Sequence, residues 1–212
     1  MRRARFIVSL GAALLVLTGC AWFQAGGPAI LYEETFSGST TPWYTGETDS
    51  RRIWLEGGAY HMLVKEVGLS VLAWRQQVGP FADFQLDLDT EQLGGPDNNG
   101  YGVNFRMVDG DNYYRFRISG DGYARFDKRV AGAIVVVRPW EAIAAIHQGN
   151  AANHLTIVAD GSELTFFVNG TEVYSLVDTD FAAGHVGLSG IVFEAPGQAH
   201  IAFDNLIVQE LE

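Results

Sequence analysis

The sequence predicts an all-β fold, a two-sheet antiparallel β-sandwich. About a dozen short segments alternate apolar and polar residues, which is the pattern of half-buried strands. Gly beside Asp or Asn separates several of these segments, and such pairs form the tight turns of β-hairpins. Only residues 140–146 have helical character, and they would form about two turns.

The first 19 residues predict a bacterial lipoprotein signal peptide. Arg2, Arg3 and Arg5 give a basic start, and the apolar run at 6–17 is too short to span a bilayer. The Leu-Thr-Gly-Cys that ends at Cys20 resembles the lipobox of bacterial lipoproteins. The resemblance implies that the Cys20 thiol receives a diacylglycerol and becomes the new N-terminus. An ordinary secretory signal with an incidental cysteine is the alternative.

Residues 20–28 would then be the lipidated cysteine and a short tether, and 29–212 a single domain. Ala21 follows Cys20, where an Asp would resemble an inner-membrane retention signal. We therefore expect an extracytoplasmic protein held by its N-terminal lipid. Its site would be the outer membrane, or the outer face of the plasma membrane in a bacterium with one membrane.

Composition narrows the possible partners. Cys20 is the only cysteine, which excludes an intrachain disulfide. The formal charge is −11, and it becomes −14 when the three arginines of the signal peptide are removed. Such an acidic chain repels phosphates, so nucleic acid is not an expected partner. The expected partners are a glycan or another extracellular ligand and, through Cys20, the lipid bilayer.

Local signals define each predicted strand in turn. The first strand follows the tether, and Glu56-Gly57-Gly58 marks a hairpin between the next two. Residues 94–100 are rich in Gly, Asn and Asp, as loops are. Outside 101–130, strands are expected at 31–36, 51–55, 60–64, 71–77, 84–93, 134–137, 154–159, 163–168, 171–176, 185–193 and 200–208.

The stretch 101–130 reads as three consecutive antiparallel strands. A two-residue turn at Asp109-Gly110 and a three-residue loop at 120–122 bring apolar residues opposite apolar ones. This register leaves one apolar face and one face rich in Arg, Asn and Asp. The predicted partners are Phe105 with Tyr114, Val103 with Phe116, Asn104 with Arg115, Phe116 with Phe126, and Arg115 with Asp127.

A second hairpin set is predicted at 154–176, with turns at Asp160-Gly161 and Asn169-Gly170. These turns also set apolar residues opposite one another. The predicted partners are Leu155 with Phe166, Ile157 with Leu164, and Phe166 with Val173.

Several segments together resemble a known superfamily. They read YGVNFRMVDGDNYYRFRIS, YARF, PWEAI, NHLTIVADGSELTFFVNG, GHVGLSG and AFDNLIV. This order is similar to the concanavalin A-like lectin/glucanase jelly roll, and most similar to its laminin-G-like and 3-keto-disaccharide hydrolase-type domains. The resemblance covers about 31–208. It implies two curved antiparallel sheets, with sugars, where bound, lying across the concave sheet or at its rim.

The polar face of 101–130 is the first candidate site. Arg offers a rigid fork of donors, and Tyr offers a ring face and a hydroxyl, which suits a sugar ligand. Tyr123 alternates into this face, and Trp140 or Trp43 would stand at its rim. A solvated face with weak ion pairs is the alternative. The candidate ligand-binding residues are Asn104, Arg106, Tyr113, Arg115, Arg117, Arg125, Asp127 and Trp140.

A second candidate lies at Asp87, Asp89 and Glu91, which alternate along one predicted strand and share a face. Retaining glycosidases need two carboxylates about 5 Å apart. The superfamily's glucanases carry catalysis on a Glu-x-Asp-x-Glu strand, whereas this chain has Asp-x-Asp-x-Glu. Asp87 therefore stands where a longer nucleophile is expected. Cross-strand charge compensation, with Arg106 opposite Asp87 or Asp89, is the alternative.

No cofactor is required by the sequence, but a structural calcium ion is a possible addition. Asp109, Asp111 and Asn112, or the Asp and Asn residues at 97–99, supply the oxygens that calcium binds. Related jelly rolls often hold calcium at a rim. The same residue types form hairpin turns without a metal, which is the alternative.

These observations favour a cell-envelope lipoprotein whose jelly-roll domain binds a glycan or another extracellular ligand without catalysis. A glycoside-acting hydrolase is the first alternative. A structural or protein-interaction module of the envelope is the second, and it predicts an exposed apolar patch or a bare sheet edge.

Overall fold

The computed structural model describes residues 27–194 and 197–211. The signal peptide and Cys20 lie outside the described residues, so lipidation remains a prediction. Within the described ranges, no helix is long and apolar enough to cross a bilayer.

The described residues form fifteen strands. They are β1 (Ile30–Glu34), β2 (Gly46–Glu47), β3 (Arg51–Glu56), β4 (Ala59–Val64), β5 (Ser70–Trp74), β6 (Phe84–Gly94), β7 (Asn99–Asp109), β8 (Asn112–Ile118), β9 (Tyr123–Val130), β10 (Ala133–Ala142), β11 (Ala152–Asp160), β12 (Glu163–Val168), β13 (Thr171–Val177), β14 (His185–Val192) and β15 (Ala199–Gln209).

The strands form two antiparallel sheets, which confirms the predicted sandwich. The six-stranded sheet has the order β10-β9-β8-β7-β14-β5. The nine-stranded sheet has the order β13-β12-β11-β6-β15-β4-β3-β2, and β1 also pairs with β15. β15 contacts β6 along one edge, and along the other edge it contacts β4 and then β1. The backbone N–H of Glu210 also donates to the Ala29 carbonyl, so the two ends of the domain meet.

Aromatic side chains fill the space between the sheets. Phe105, Phe116 and Phe126 face inward from the six-stranded sheet and are fully buried. Phe166 of β12 meets them from the opposite sheet, with ring centroids 4.9 Å from Phe116 and 4.7 Å from Phe126. Tilted and edge-on contacts at this separation suit the quadrupoles of aromatic rings.

The predicted register of β7, β8 and β9 is confirmed. Phe105 pairs with Tyr114, and Phe116 pairs with Val103 on one side and Phe126 on the other. The first turn differs from the prediction, because Asp109 pairs with Asn112 and the tip is Gly110-Asp111. A bulge accounts for the shift, since residues 106–108 of β7 stand opposite a single residue of β8.

The bulge turns Arg106 away from its predicted face. Arg106 has a φ of +45° and a fully buried side chain. Its guanidinium donates to the carbonyls of Ala82 (2.6 Å), Gly161 (2.7 Å) and Phe181 (3.2 Å). Gly161 lies at the β11–β12 turn of the opposite sheet. Arg106 therefore ties the two sheets together, and the prediction that it shares a ligand-binding face with Arg115 is wrong.

Three other sequence expectations are wrong. Residues up to Ala142 belong to β10, so the predicted helical turns begin as a strand. β6 and β7 lie in different sheets, so Arg106 is not opposite Asp87 or Asp89. These first two expectations depended on which strands pair with one another, and sequence periodicity alone does not predict that pairing.

The third concerns the β11–β12 hairpin, whose turn lies one residue later than predicted. Leu155 therefore pairs with Val168 and not with Phe166, although both partners are apolar. A bulge in the next hairpin pairs Phe166 with Tyr174 and not with Val173.

Candidate functional site

Three arginines surround one aspartate on the outer face of the six-stranded sheet. Arg115, Arg117 and Arg125 alternate outward from β8 and β9, and Asp127 lies among them. Arg115 Nε and Arg117 Nη2 donate to the two carboxylate oxygens at 2.9 and 3.0 Å. Arg125 Nε lies 2.6 Å from the Asp127 carboxylate, without hydrogen-bond alignment. We call these four residues the arginine cluster.

The arginine cluster is buried rather than solvated. Arg115 and Arg117 are each 3% exposed, and Asp127 is inaccessible. Burial, followed by the charge of Arg115, lowers the pKa of Arg117 to about 9, so it still carries its proton at neutral pH. The alternative of weak, solvent-screened ion pairs therefore does not describe this face.

Glycines let long side chains lie flat against the same face. A Cβ on Gly100 would come within 3.3 Å of the Trp140 ring, so the indole packs directly over backbone. Trp140 projects from a bulged part of β10, near the end of that strand. The guanidinium of Arg117 lies 5.6 Å from the Trp140 ring centroid, which is a cation–π distance.

An open pocket of about 220 Å³ adjoins Trp140 at one end of the sheet. We call it the rim pocket. Tyr123 is 40% exposed and supplies a second ring. Two aromatic rings with nearby amide, hydroxyl and carboxylate groups can stack on a sugar ring and hydrogen-bond its hydroxyls. The lining residues are Asn98, Asn99, Ser119, Asp121, Tyr123 and Trp140.

Hydrogen bonds hold much of the polar wall of the rim pocket in place. Ser119 Oγ donates to the Asp121 carboxylate. Asn99 Nδ2 donates to Gln92 Oε1 at 2.6 Å, whereas Asn99 Oδ1 is buried without a partner. These contacts fix the wall before any ligand arrives.

The structure groups most, but not all, of the predicted ligand-binding residues. Trp140 lines the rim pocket, and Arg117 contacts the Trp140 ring. Asn104 and Tyr113 lie on the same outer face but are buried. Sequence reasoning treated Asn98 and Asn99 only as calcium ligands. It also overlooked Ser119 and Asp121.

The position of the missed pocket residues relative to the predicted strands could have indicated that they lie together. They stand where β7 begins and between β8 and β9, and in an antiparallel sheet those positions share one end.

The β6 carboxylates face outward from the nine-stranded sheet, and those of Asp87 and Asp89 already have partners. Asp87 accepts from Thr156 Oγ1 at 2.6 Å and from Gln85 Nε2 at 2.7 Å. Asp89 accepts from Asn205 Nδ2 at 2.8 Å. His154 lies between them, with ring nitrogens 2.7 Å from Asp89 and 3.2 Å from Asp87. This arrangement is charge compensation, with His154 in the role that the sequence gave to Arg106.

An acidic cleft of about 370 Å³ lies beside these carboxylates. Glu91, Asp89 and Asp204 line it, over a floor that includes Ala152 and Ala202. Burial, followed by the charge of Asp89, raises the pKa of Asp204. A raised carboxyl pKa is what a general acid requires.

The first predicted calcium ligands are engaged in turn contacts. Asp109 accepts from the Asp111 backbone N–H at 2.7 Å and from Asn112 Nδ2 at 2.9 Å. Asn112 Oδ1 accepts from the Ala131 backbone N–H. Asp111 pairs with Arg129 at 3.1 Å. Among the described residues, no group of three His, Cys, Asp or Glu side chains is placed to hold a metal ion.

Solved structures of the same architecture place the fold in the concanavalin A-like class of β-sandwiches. The carbohydrate-binding module CBM66 from Bacillus subtilis aligns over 85% of this chain and 97% of its own, at 21% identity and a TM-score of 0.52. A β-glucanase from Bacillus licheniformis aligns over 89% of this chain and 100% of its own, at 9% identity and a TM-score of 0.63. A laminarinase from Flavobacterium sp. UMI-01 aligns over 86% and 100%, at 13% identity and a TM-score of 0.62.

The sequence model of one family matches residues 32–209. The chain belongs to this family, the 3-keto-alpha-glucoside-1,2-lyase-like domains. A comparison with curated proteins gave no match.

Proposed function

We propose that the protein is a cell-envelope lipoprotein whose sandwich domain binds a glycan without cleaving it. The rim pocket carries this proposal, because Trp140 and Tyr123 flank a sugar-sized opening that also contains amide, hydroxyl and carboxylate groups. The lipobox at Cys20 supports the location. The structural likeness to a carbohydrate-binding module agrees with a binding role.

The contents of the rim pocket favour binding over hydrolysis. Glycoside hydrolysis commonly uses two carboxyl groups that flank the scissile bond. Asp121 is the single carboxylate among the described residues that line the pocket, and Ser119 donates to it.

Trp140→Ala tests the binding role. We expect about a five- to hundredfold loss of affinity for any glycan that binds, since a ligand ring that stacks on an aromatic side chain gains about 1 to 3 kcal/mol. A glycan array would find the ligand, and calorimetric titration of the full chain in mild detergent would measure the loss. Trp54→Ala is the matched control, because Trp54 lies on the nine-stranded sheet. The proposal is wrong if no glycan binds or if both variants bind as the native protein does.

The acidic cleft favours a second candidate function, cleavage of a glycoside, which the family name also suggests. Asp204 would act as the acid, and Asp89 or Glu91 as its partner carboxylate. Sugar release from a panel of glucosides and 3-keto-glucosides, lost in both Asp204→Asn and Asp89→Asn, would establish this function. The Trp140→Ala variant would retain that activity, since it alters the other sheet.

A further inference from the structure

We infer that the glycan bound at the rim pocket and the arginine cluster is acidic, with a carboxylate or sulfate group that reaches Arg125, beside the buried Arg117. The inference rests on the proposed binding function and adds the ligand class. Its starting point is charge: three guanidiniums share the single carboxylate of Asp127, which leaves two positive charges in excess within a chain of net charge −11.

No other described acidic side chain lies within ion-pair distance of these arginines. Arg115 has one further contact, at 3.3 Å from the hydroxyl of Ser70, which is neutral. A buried cation is costly unless it is paired and hydrogen-bonded. The two positive charges that Asp127 does not neutralise would therefore be stabilised by an anionic group on the ligand.

Unpartnered donors on the same face point to the same conclusion. Asn104 Nδ2, Arg117 Nε and Arg125 Nε are buried and lack a hydrogen-bond partner. Asn104 is fully buried and pairs with Arg115 across β7 and β8. Its oxygen is already used, because it accepts from Ser189 at 3.0 Å. Arg125 Nε lies 2.6 Å from the Asp127 carboxylate, so Asn104 Nδ2 and Arg117 Nε are the two donors left without an acceptor. Carboxylate and sulfate groups are rich in acceptor oxygens.

Trp140 and Arg125 connect the rim pocket to this charge. Trp140 lines the pocket, and its ring also contacts the guanidinium of Arg117. Arg125 pairs with Arg117 across the strands, and its side chain is 20% exposed. A sugar ring in the pocket can thus place an acidic substituent at Arg125 without unfolding the sheet. Asp121 also lines the pocket, and its carboxylate can accept from sugar hydroxyls.

Matched ligands test the inference. Tetragalacturonate and its fully methyl-esterified form share one backbone and differ in charge, and a sulfated galactan tetrasaccharide with its unsulfated form separates sulfate from carboxylate. We expect one of the two acidic ligands to bind the full chain at least tenfold more tightly than its neutral partner. Arg125→Gln should remove that preference, so that the acidic form binds no more tightly than its neutral partner. Arg52→Gln removes the same charge from the other sheet and should change neither affinity.

The outcomes separate this inference from the proposed function. If neutral glycans bind and neither acidic ligand binds more tightly, the ligand class is wrong and glycan binding stands. If Arg125→Gln weakens acidic and neutral ligands equally while its melting temperature is native, charge recognition is wrong. If no glycan of any class binds, both the inference and the proposed function fail. Arg117→Lys, which keeps the charge at the buried position, should retain part of the preference for the acid.

Discussion

His154 is a single residue whose charge state is set by its neighbours. Burial of the ring lowers the pKa of His154, but its hydrogen bonds to Asp89 and Asp87 outweigh burial and raise it above the usual value. The protonated ring donates from both nitrogens, whereas a neutral ring donates from only one. The stabilisation is therefore fully present below the unfolded pKa of about 6.5 and is lost as pH rises through the higher folded pKa.

We expect His154→Gln to lower the free energy of unfolding more at about pH 5.5 than at about pH 8.5. Urea titrations of both proteins across this range would measure the difference. In an Asp87→Asn, Asp89→Asn background the larger loss at low pH should disappear, because only the opposing effect of burial on the His154 pKa remains. If the difference in unfolding free energy between the native protein and His154→Gln grows as pH rises, protonated His154 is not the stabilising form.

Single residues also show where sequence reasoning stopped. Alternation placed Arg115, Arg117 and Asp127 on one outward face, and the structure has them there. It also placed Arg106 on that face, because a pattern with period two continues unless an extra residue interrupts it. The bulge is stabilised by carbonyls at Ala82, Gly161 and Phe181, which no local pattern relates to Arg106.

At the scale of elements, the β7 bulge is expected to hold the sheets together through Arg106. Arg106→Ala would leave three buried carbonyls without their donor and open a cavity, at a cost of about 3 kcal/mol or more in unfolding free energy. Urea denaturation would measure this loss. Arg129→Ala is the control, since its exposed ion pair with Asp111 should contribute under about 1 kcal/mol. Equal losses in the two variants would show that the bulge is not a structural tie.

Turn chemistry predicted β7, β8 and β9 well because their pairing is local. Gly120 and Gly122 fix the second loop, and Phe116 meets Phe126 as expected. β10 was misread, since helical spacing in 140–146 is a weak signal beside pairing with β9. The rim pocket depends on that misread strand, because β10 presents Trp140. The site could therefore be predicted only in part.

Among the strands that the structure describes, β10 is also an unpaired edge of the six-stranded sheet. Ile134, Val135 and Val136 are 55%, 41% and 49% exposed. Consecutive exposed apolar residues on an unpaired edge favour association with another strand. This observation matches what the protein-interaction alternative predicts. It does not explain the charged face on the same sheet.

At the scale of the whole molecule, the predicted lipidation of Cys20 would determine where the proposed glycan site operates. We expect the native chain in the membrane fraction of a bacterial host and Cys20→Ser in the soluble extracytoplasmic fraction, because a diacyl anchor binds membranes stably. Fractionation followed by immunoblotting would measure the distribution. If the signal is an ordinary secretory one, the native chain and Cys20→Ser will both be soluble. As a control, the two proteins should bind the glycan with the same affinity.

The pairing of β1 with β15 has a mechanical consequence. Ile30 lies opposite Gln209, and the chain ends leave the sandwich side by side. Tension applied between them loads the connecting hydrogen bonds one after another, as in a zipper, because antiparallel bonds run perpendicular to the strands. Under such tension the domain would begin to unfold by separation of β1 from β15, while the central strands of each sheet remain paired.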